Sequence, residues 1–306
     1  MFGLDYLLVV LGLALLVAGG EVLVRGALGL SVRFRMSPAV IGAVVMGFGT
    51  STPELAASLS AALAGAPGLA LGNVIGSNVA NVALILAASA VIVPLVARIG
   101  WAEAIAVAAA TLGMIAVIIL GGIGPVLGAM FLGILAIFLW VSVRGGEVAL
   151  SEQETEAAPG RLGQSLIFVT VGLVLLIGGA QALVSGTVDI AEAFGVPPSV
   201  IRLTVVAIGT SLPELAASLS AAVRGQGGLA LGNIVGSNSF NVLGILGITA
   251  LVHPIAVPPS LDMAEVWALA ITGAALLVLG LWGRVPRAAG ALGLAGYAGY
   301  MWLVIA

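Results

Sequence analysis

A ten-residue block occurs twice in this chain, and both copies place polar residues inside apolar sequence. Gly49-Thr50-Ser51-Thr52-Pro53-Glu54-Leu55-Ala56-Ala57-Ser58 returns 160 residues later as Gly209-Thr210-Ser211-Leu212-Pro213-Glu214-Leu215-Ala216-Ala217-Ser218. Each copy leads into a second shared block, Gly72-Asn73-Val74-Ile75-Gly76-Ser77-Asn78 and Gly232-Asn233-Ile234-Val235-Gly236-Ser237-Asn238. From 38 to 86, 31 of 49 residues equal their partner at +160, so the chain is two versions of one unit. Any fold must therefore give two carboxylates, with their hydroxyls and amides, equivalent surroundings.

Those surroundings are apolar. The chain is 61% hydrophobic and 8% charged, with a mean hydropathy of +1.27, which leaves too little polar surface for a soluble domain. Apolar runs of about 20 residues, the length that spans a hydrocarbon core, recur throughout. They are continuous rather than alternating, which disfavours a β-barrel. The 44 glycines fit helices packed closely in lipid. There are no cysteines, so disulfides and thiolate sites are ruled out, and the net charge of −3 points to no partner. The N-terminus has a long apolar run without a basic leader and reads as a first span rather than a cleaved signal.

Hydropathy and helix breakers predict ten spans, near 5–24, 38–63, 69–94, 102–121, 125–143, 163–186, 197–223, 229–252, 264–283 and 287–305. The one clearly polar stretch holds Glu147, Glu152, Glu154, Glu156 and Pro159. The expected organisation is thus a five-helix repeat over 1–143, an acidic cytoplasmic linker over 144–162 and a second five-helix repeat over 163–306. Five is odd, so the second repeat must enter the membrane from the opposite side. The expected fold is an all-α polytopic membrane protein, ten transmembrane helices in two inverted five-helix repeats with broken helices at the ion site. With the N-terminus outside, nine of ten arginines (all but Arg202) fall on the inner side, as the positive-inside rule requires. Both termini are then outside.

Glu54 and Glu214 lie mid-span, where a lone carboxylate costs about 2.5–3.5 kcal/mol on insertion scales and by default marks a functional site. Their bland use would be as hydrogen-bonded helix glue. Pro53 and Pro213 break the helix and free carbonyls near Gly49–Thr50 and Gly209–Thr210; a plain kink is the alternative. Thr50, Ser51, Thr210 and Ser211 add hydroxyls in the same turn. On the next span Asn73, Ser77 and Asn81 share a face, as do Asn233, Ser237 and Asn241. Asn73 and Asn233 read as ligands or as an interhelical hydrogen-bond zipper, whereas Ser77, Asn81 and their partners read as ligands.

Such oxygens suit hard cations, and flexible oxygen cages suit Ca²⁺ over Mg²⁺. No His or Cys lies near the blocks to serve softer metals. The two ionised glutamates carry −2, which one Ca²⁺ neutralises and three Na⁺ turn to +1. Without a cation they resist burial, so such a carrier changes sides loaded. Elsewhere, Glu21 and Arg25 read as a helical ion pair and His253 as an interfacial residue. Arg202 reads as a snorkelling side chain, and Glu103 and Glu265 as charges favoured at helix starts.

The paired Gly-Thr-Ser-x-Pro-Glu-Leu and Gly-Asn-x-x-Gly-Ser-Asn blocks resemble the α-repeats of the cation/calcium antiporter superfamily, specifically the prokaryotic sodium/calcium exchangers. The resemblance covers nearly the whole chain. It implies a secondary active antiporter in the cell (inner) membrane, not an enzyme, that exchanges Ca²⁺ for Na⁺ by alternating access. It further implies that Glu54 and Glu214 bind Ca²⁺ with the carbonyls of Thr50 and Thr210. Na⁺ would share the glutamates and use Ser51 and Ser77 on one side, Ser211 and Ser237 on the other, while Asn81 and Asn241 close the centre. The first and sixth helices would slide across the rest. Some prokaryotic and potassium-dependent relatives carry an acid at the position of Asn241; asparagine resembles the potassium-independent branch. The expected partners are the two ions and the bilayer, with no cofactor, nucleic acid or obligate protein partner. An H⁺/Ca²⁺ antiporter using the same glutamates is the alternative, and a cation channel is the reading from another class.

Overall fold

The computed structural model describes residues 2–144, 161–197, 207–259 and 261–305. The expected linker, apart from its ends, and Arg202 lie outside these residues. Eleven helices of ten or more residues are described: α1 (Phe2–Phe34), α2 (Pro38–Thr50), α3 (Thr52–Leu63), α4 (Pro67–Ile92), α5 (Trp101–Ile119), α6 (Pro125–Arg144), α7 (Leu162–Ala193), α8 (Leu212–Val223), α9 (Gly227–Val252), α10 (Met263–Trp282) and α11 (Arg287–Ile305). A single helical turn, Ala207–Gly209, precedes α8.

Among the described residues, seven of these helices (α1, α4, α5, α6, α7, α9 and α10) are long and apolar enough to cross a membrane. The pair α2 and α3, bent by 44° at their junction, makes an eighth if taken as one span. Two expected spans fall outside this set. The segment starting at 197 is described only in part, ending in α8, and α11 is the other.

Local sequence sets the helix ends. Ser37 caps α2, its hydroxyl accepting from the Val40 N–H at 3.2 Å, with Pro38 in the first turn where a missing N–H costs nothing. Asp262 and Glu265 form a capping box on α10. The α3–α4 and α8–α9 turns pass through Gly65 (φ +78°) and Gly225 (φ +73°), left-handed positions suited to glycine. Glu103 lies in the first turn of α5, as expected, but is buried.

α4 and α9 form the centre. Of their most apolar 18-residue stretches, 72% and 83% is buried, against 22–33% for the other five spanning helices, which must therefore surround them. The outer helices expose Leu13, Val17, Leu112, Ile137, Ile271 and Val278, as lipid-facing surfaces should. Two short antiparallel pairs tie the assembly at its ends. β1 (Leu95–Val96) pairs with β4 (Arg284–Val285), and β2 (Gly122–Ile123) with β3 (Ile255–Ala256). β1 precedes α5 and β2 follows it, so the pairs sit at opposite ends of that helix. α4, which runs into β1, and α9, which runs into β3, therefore finish at opposite ends.

α1 and α7 have 33 and 32 residues, well beyond the expected 5–24 and 163–186. At 1.5 Å per residue each is roughly 50 Å long, against about 30 Å of hydrocarbon. They pack antiparallel through glycines seven residues apart. A Cβ at Gly12 would lie 2.7 Å from the Gly179 carbonyl, at Gly19 2.8 Å from the Leu176 nitrogen, and at Gly26 2.6 Å from the Val169 nitrogen. The backbones themselves touch, which only small residues permit. Glu21 pairs with Arg25 at 2.8 Å, as its spacing predicts, and also with Arg224 at the end of α8.

Substituting Gly179→Ile should therefore lower the thermal unfolding midpoint in detergent, by the equivalent of about 1–3 kcal/mol of overpacking. Gly178→Ala, whose added Cβ meets nothing within 4 Å among the described residues, should leave it unchanged.

Candidate cation site

The repeated block forms a break. Pro53 sits in the first turn of α3, where its ring is tolerated but cannot continue α2. Ser51 takes up the break at φ −81°, ψ 9°, and Ser211 does the same before α8 at φ −90°, ψ 6°. The backbone bonds bridging the first break run from the Ser51 N–H to Gly47 at 3.2 Å and from the Leu55 N–H to Ser51 at 3.1 Å, straddling Thr50. The Gly49 carbonyl, expected to be freed, instead accepts from the Thr52 hydroxyl at 2.9 Å. Position 212 is leucine, so the second half lacks that hydroxyl.

Glu54 and Glu214, in the first turns of α3 and α8, are each 1% exposed. Each accepts from a serine of the other half: Ser51 Oγ donates to Glu214 Oε1 at 3.0 Å, and Ser211 Oγ to Glu54 Oε1 at 3.4 Å. Their second oxygens, Glu54 Oε2 and Glu214 Oε2, are buried without a hydrogen-bond partner among the described residues.

The central helices hold the glutamates in place. Asn73 Nδ2 on α4 donates to the Glu54 carbonyl at 3.3 Å and to Ser58 Oγ at 3.0 Å. Asn233 Nδ2 on α9 donates to the Glu214 carbonyl at 3.4 Å and to Ser218 Oγ at 2.8 Å. The zipper reading of these two asparagines is thus the one their geometry supports. Thr50 donates its hydroxyl to the Met46 carbonyl at 3.0 Å, with Asn233 Oδ1 at 3.3 Å. Ser237 donates to the Gly47 carbonyl at 3.1 Å, joining α9 to α2. An added Cβ at Gly232 or Gly236 would strike the carbonyls of Ala39 and Ala43, so α2 lies directly on the glycine face of α9.

Asn81 opens a π-helical turn in α4 (Asn81–Leu86), and Asn241 lies in another in α9 (Phe240–Leu246). Such turns frequently mark functional positions. Both side chains are 1% exposed, and Asn81 Oδ1 and Asn241 Oδ1 are also buried without a partner among the described residues. Their nitrogens bond across the halves, Asn81 Nδ2 to Asn238 Oδ1 at 2.9 Å and Asn241 Nδ2 to Asn78 Oδ1 at 3.1 Å. Asn78 and Asn238 were missed by sequence reasoning. They close the second repeated block, but the four-residue stripe through 73, 77 and 81 passes them by.

Of the ten candidate residues, nine are buried and Thr210 is half-buried. Hydrogen bonds bring Ser51 to Glu214 and Ser211 to Glu54, while Ser77 lies buried on the α4 face shared with Asn73 and Asn81. Two carboxylate and two amide oxygens thus lack a donor among the described residues, a state that is costly in an apolar interior. No group of three or more His, Cys, Asp or Glu that could hold a metal ion occurs among the described residues. His253 is exposed, its Nδ1 2.8 Å from the Pro254 carbonyl. A cavity of about 840 Å³ between α4, α10 and α11 is lined by apolar side chains such as Val82, Ile271 and Leu292 and includes none of the candidate residues.

Fold and composition thus define a multi-pass helical membrane protein with a buried, oxygen-lined polar centre. The sequence model of the family described as sodium/calcium exchanger protein matches residues 4–144 and 164–306. The chain belongs to that family, as a prokaryotic-type exchanger of the cation/calcium antiporter superfamily. It is 38% identical to the membrane protein MJ0091 of Methanocaldococcus jannaschii over 82% of each chain. It is 29% identical to the sodium/calcium exchanger MaX1 of Methanosarcina acetivorans, over 84% of this chain and 85% of that one. Its structure matches the sodium-calcium exchanger NCX_Mj soaked with zero Na⁺ and Ca²⁺ at a TM-score of 0.84 and 33% identity, covering 97% of this chain and 98% of that one.

Replacing Asn73 by alanine removes the two bonds that this side chain makes from α4 to α3. The expected loss is about 0.5–2 kcal/mol of stability, read from thermal unfolding in detergent.

Proposed function

We propose that this protein is a secondary active antiporter that exchanges Ca²⁺ for Na⁺ by alternating access. The cations bind between two inverted five-helix repeats, 1–143 and 163–306, joined by a cytoplasmic linker over 144–162. The observation that carries this reading is that, of the ten buried side-chain oxygens without a partner among the described residues, four belong to the candidate residues and are drawn equally from the two halves: Glu54 Oε2, Glu214 Oε2, Asn81 Oδ1 and Asn241 Oδ1. The inverted arrangement is supported by the ends of α4 and α9, which finish on opposite sides of the molecule. Membership of the exchanger family supports Na⁺ and Ca²⁺ as the transported pair.

In this reading Glu54 and Glu214 ligate Ca²⁺ together with the carbonyls of Thr50 and Thr210. Asn81 and Asn241 complete the centre with amide oxygens. Na⁺ shares the glutamates and uses the hydroxyls of Ser51, Ser77, Ser211 and Ser237. The crosswise serine bonds to the carboxylates support this, since a hydroxyl already beside a carboxylate can turn its lone pairs to a small cation. Two buried negative charges without a cation oppose the change of side, which couples the two fluxes. The arginine distribution supports both termini outside, hydropathy supports ten helices, and the family resemblance supports the cell (inner) membrane.

Radioactive Ca²⁺ uptake into proteoliposomes tests the activity. Uptake is expected with Na⁺ loaded inside, and none with a pH gradient alone; uptake driven by the pH gradient alone would replace Na⁺ by H⁺ as the coupling ion. Glu54→Gln or Glu214→Gln should lower Na⁺-driven uptake by more than about 100-fold while the protein still elutes as a folded species. Topology is testable directly because the chain contains no cysteine. A cysteine appended to either terminus should react with a membrane-impermeant maleimide added to intact cells. Labelling only after lysis would reverse the orientation.

A further inference from the structure

We propose that Asn78 and Asn238 are positioning residues that fix the amide polarity of Asn241 and Asn81, so that both turn oxygen rather than N–H toward the transported cation. This rests on the exchanger reading and adds to it the device that makes two neutral amides into cation ligands.

A primary amide can be reversed without changing its shape, and reversal exchanges an acceptor for a donor. A cation site built from asparagine must therefore control orientation. Here the control begins at the main chain. Asn78 Nδ2 lies 3.2 Å from the Asn238 carbonyl oxygen, and Asn238 Nδ2 lies 3.2 Å from the Asn78 carbonyl oxygen. A carbonyl oxygen only accepts, so nitrogen is fixed at that end of each side chain. The opposite ends are then oxygens that need donors. They receive them from Asn241 Nδ2 at 3.1 Å and Asn81 Nδ2 at 2.9 Å. With each nitrogen held at its asparagine partner, Oδ1 is the opposite end of Asn81 and of Asn241, and both atoms are buried without a partner among the described residues.

Reversing Asn81 or Asn241 alone would put two N–H groups where a bound cation needs oxygen, and would set two oxygens against each other at 2.9 or 3.1 Å. Asn78 and Asn238 are 4% and 6% exposed, so water cannot readily repair such a mismatch. The four amides form a closed relay, and each half orients the ligand of the other. Fastening α4 to α9 is the simpler use of these residues. The two roles differ in one consequence: a fastener matters whatever occupies 81 and 241, whereas a positioner matters only while those side chains have an orientation to lose. A carboxylate has none, because both its ends are oxygen; one end then faces the Oδ1 of Asn78 or Asn238 without a donor between them, so truncating that asparagine removes no favourable contact.

The test is a pair of double-mutant cycles read by equilibrium Ca²⁺ binding to the purified full-length protein, using calorimetry without Na⁺. Asn238→Ala is expected to weaken Ca²⁺ binding about ten-fold in the parent and less than about two-fold in the Asn81→Asp background. Asn78→Ala should couple in the same way to Asn241→Asp and not to Asn81→Asp. Thermal unfolding of each variant reports folding separately. If Asn238→Ala does not fold, the Asn78 cycle carries the same test from the other half. Equal losses on both backgrounds overturn the positioning role and leave the exchanger reading intact. A folded parent that binds no Ca²⁺ overturns both.

Discussion

The structure depends on a constraint that any apolar interior imposes: a buried carboxylate must be met by donors or by a cation. Glu54 and Glu214 are each met halfway, one oxygen held by a serine of the opposite half and the other without a partner among the described residues. The crosswise bonding matters because each glutamate takes a donor from the half that does not carry it. The break at Ser51 and Ser211 turns both the hydroxyl and the carboxylate inward within one helical turn.

Bringing four helical segments to one point requires unusually close backbones, and glycine provides them in two separate interfaces. Gly232 and Gly236 let α2 lie against α9 beside the site. Gly12, Gly19 and Gly26 let α1 lie along α7 at the periphery. Lipid supplies no hydrophobic drive between helices, so close van der Waals contact and interhelical hydrogen bonds carry the association. The same physics explains Asn73 and Asn233. Their bonds to Ser58, Ser218 and the glutamate carbonyls cement the bundle and hold the carboxylate-bearing turns at fixed depth.

Much of this was legible in the chain. Hydropathy identified a multi-pass helical membrane protein, and the paired blocks identified its family. Proline marked where α2 gives way to α3. α1 and α7 run beyond the expected spans, because a hydropathy window stops near charges such as Arg25 whereas helical hydrogen bonding continues to Phe34. Glu21 was paired correctly with Arg25, its neighbour one turn away, but its second partner Arg224 lies 203 residues off and no local spacing announces it.

The sequence by itself determined that two equivalent sets of carboxylate, hydroxyl and amide groups would lie in apolar helices, since repetition and hydropathy are properties of the linear chain. Which serine meets which glutamate, and which oxygens remain without donors, was decided only by the tertiary structure. Residues such as Asn78 and Asn238 look identical in the two blocks, but their roles arise from pairing with each other across the halves. An amide has no polarity along the sequence; it acquires one when a distant carbonyl oxygen selects its nitrogen.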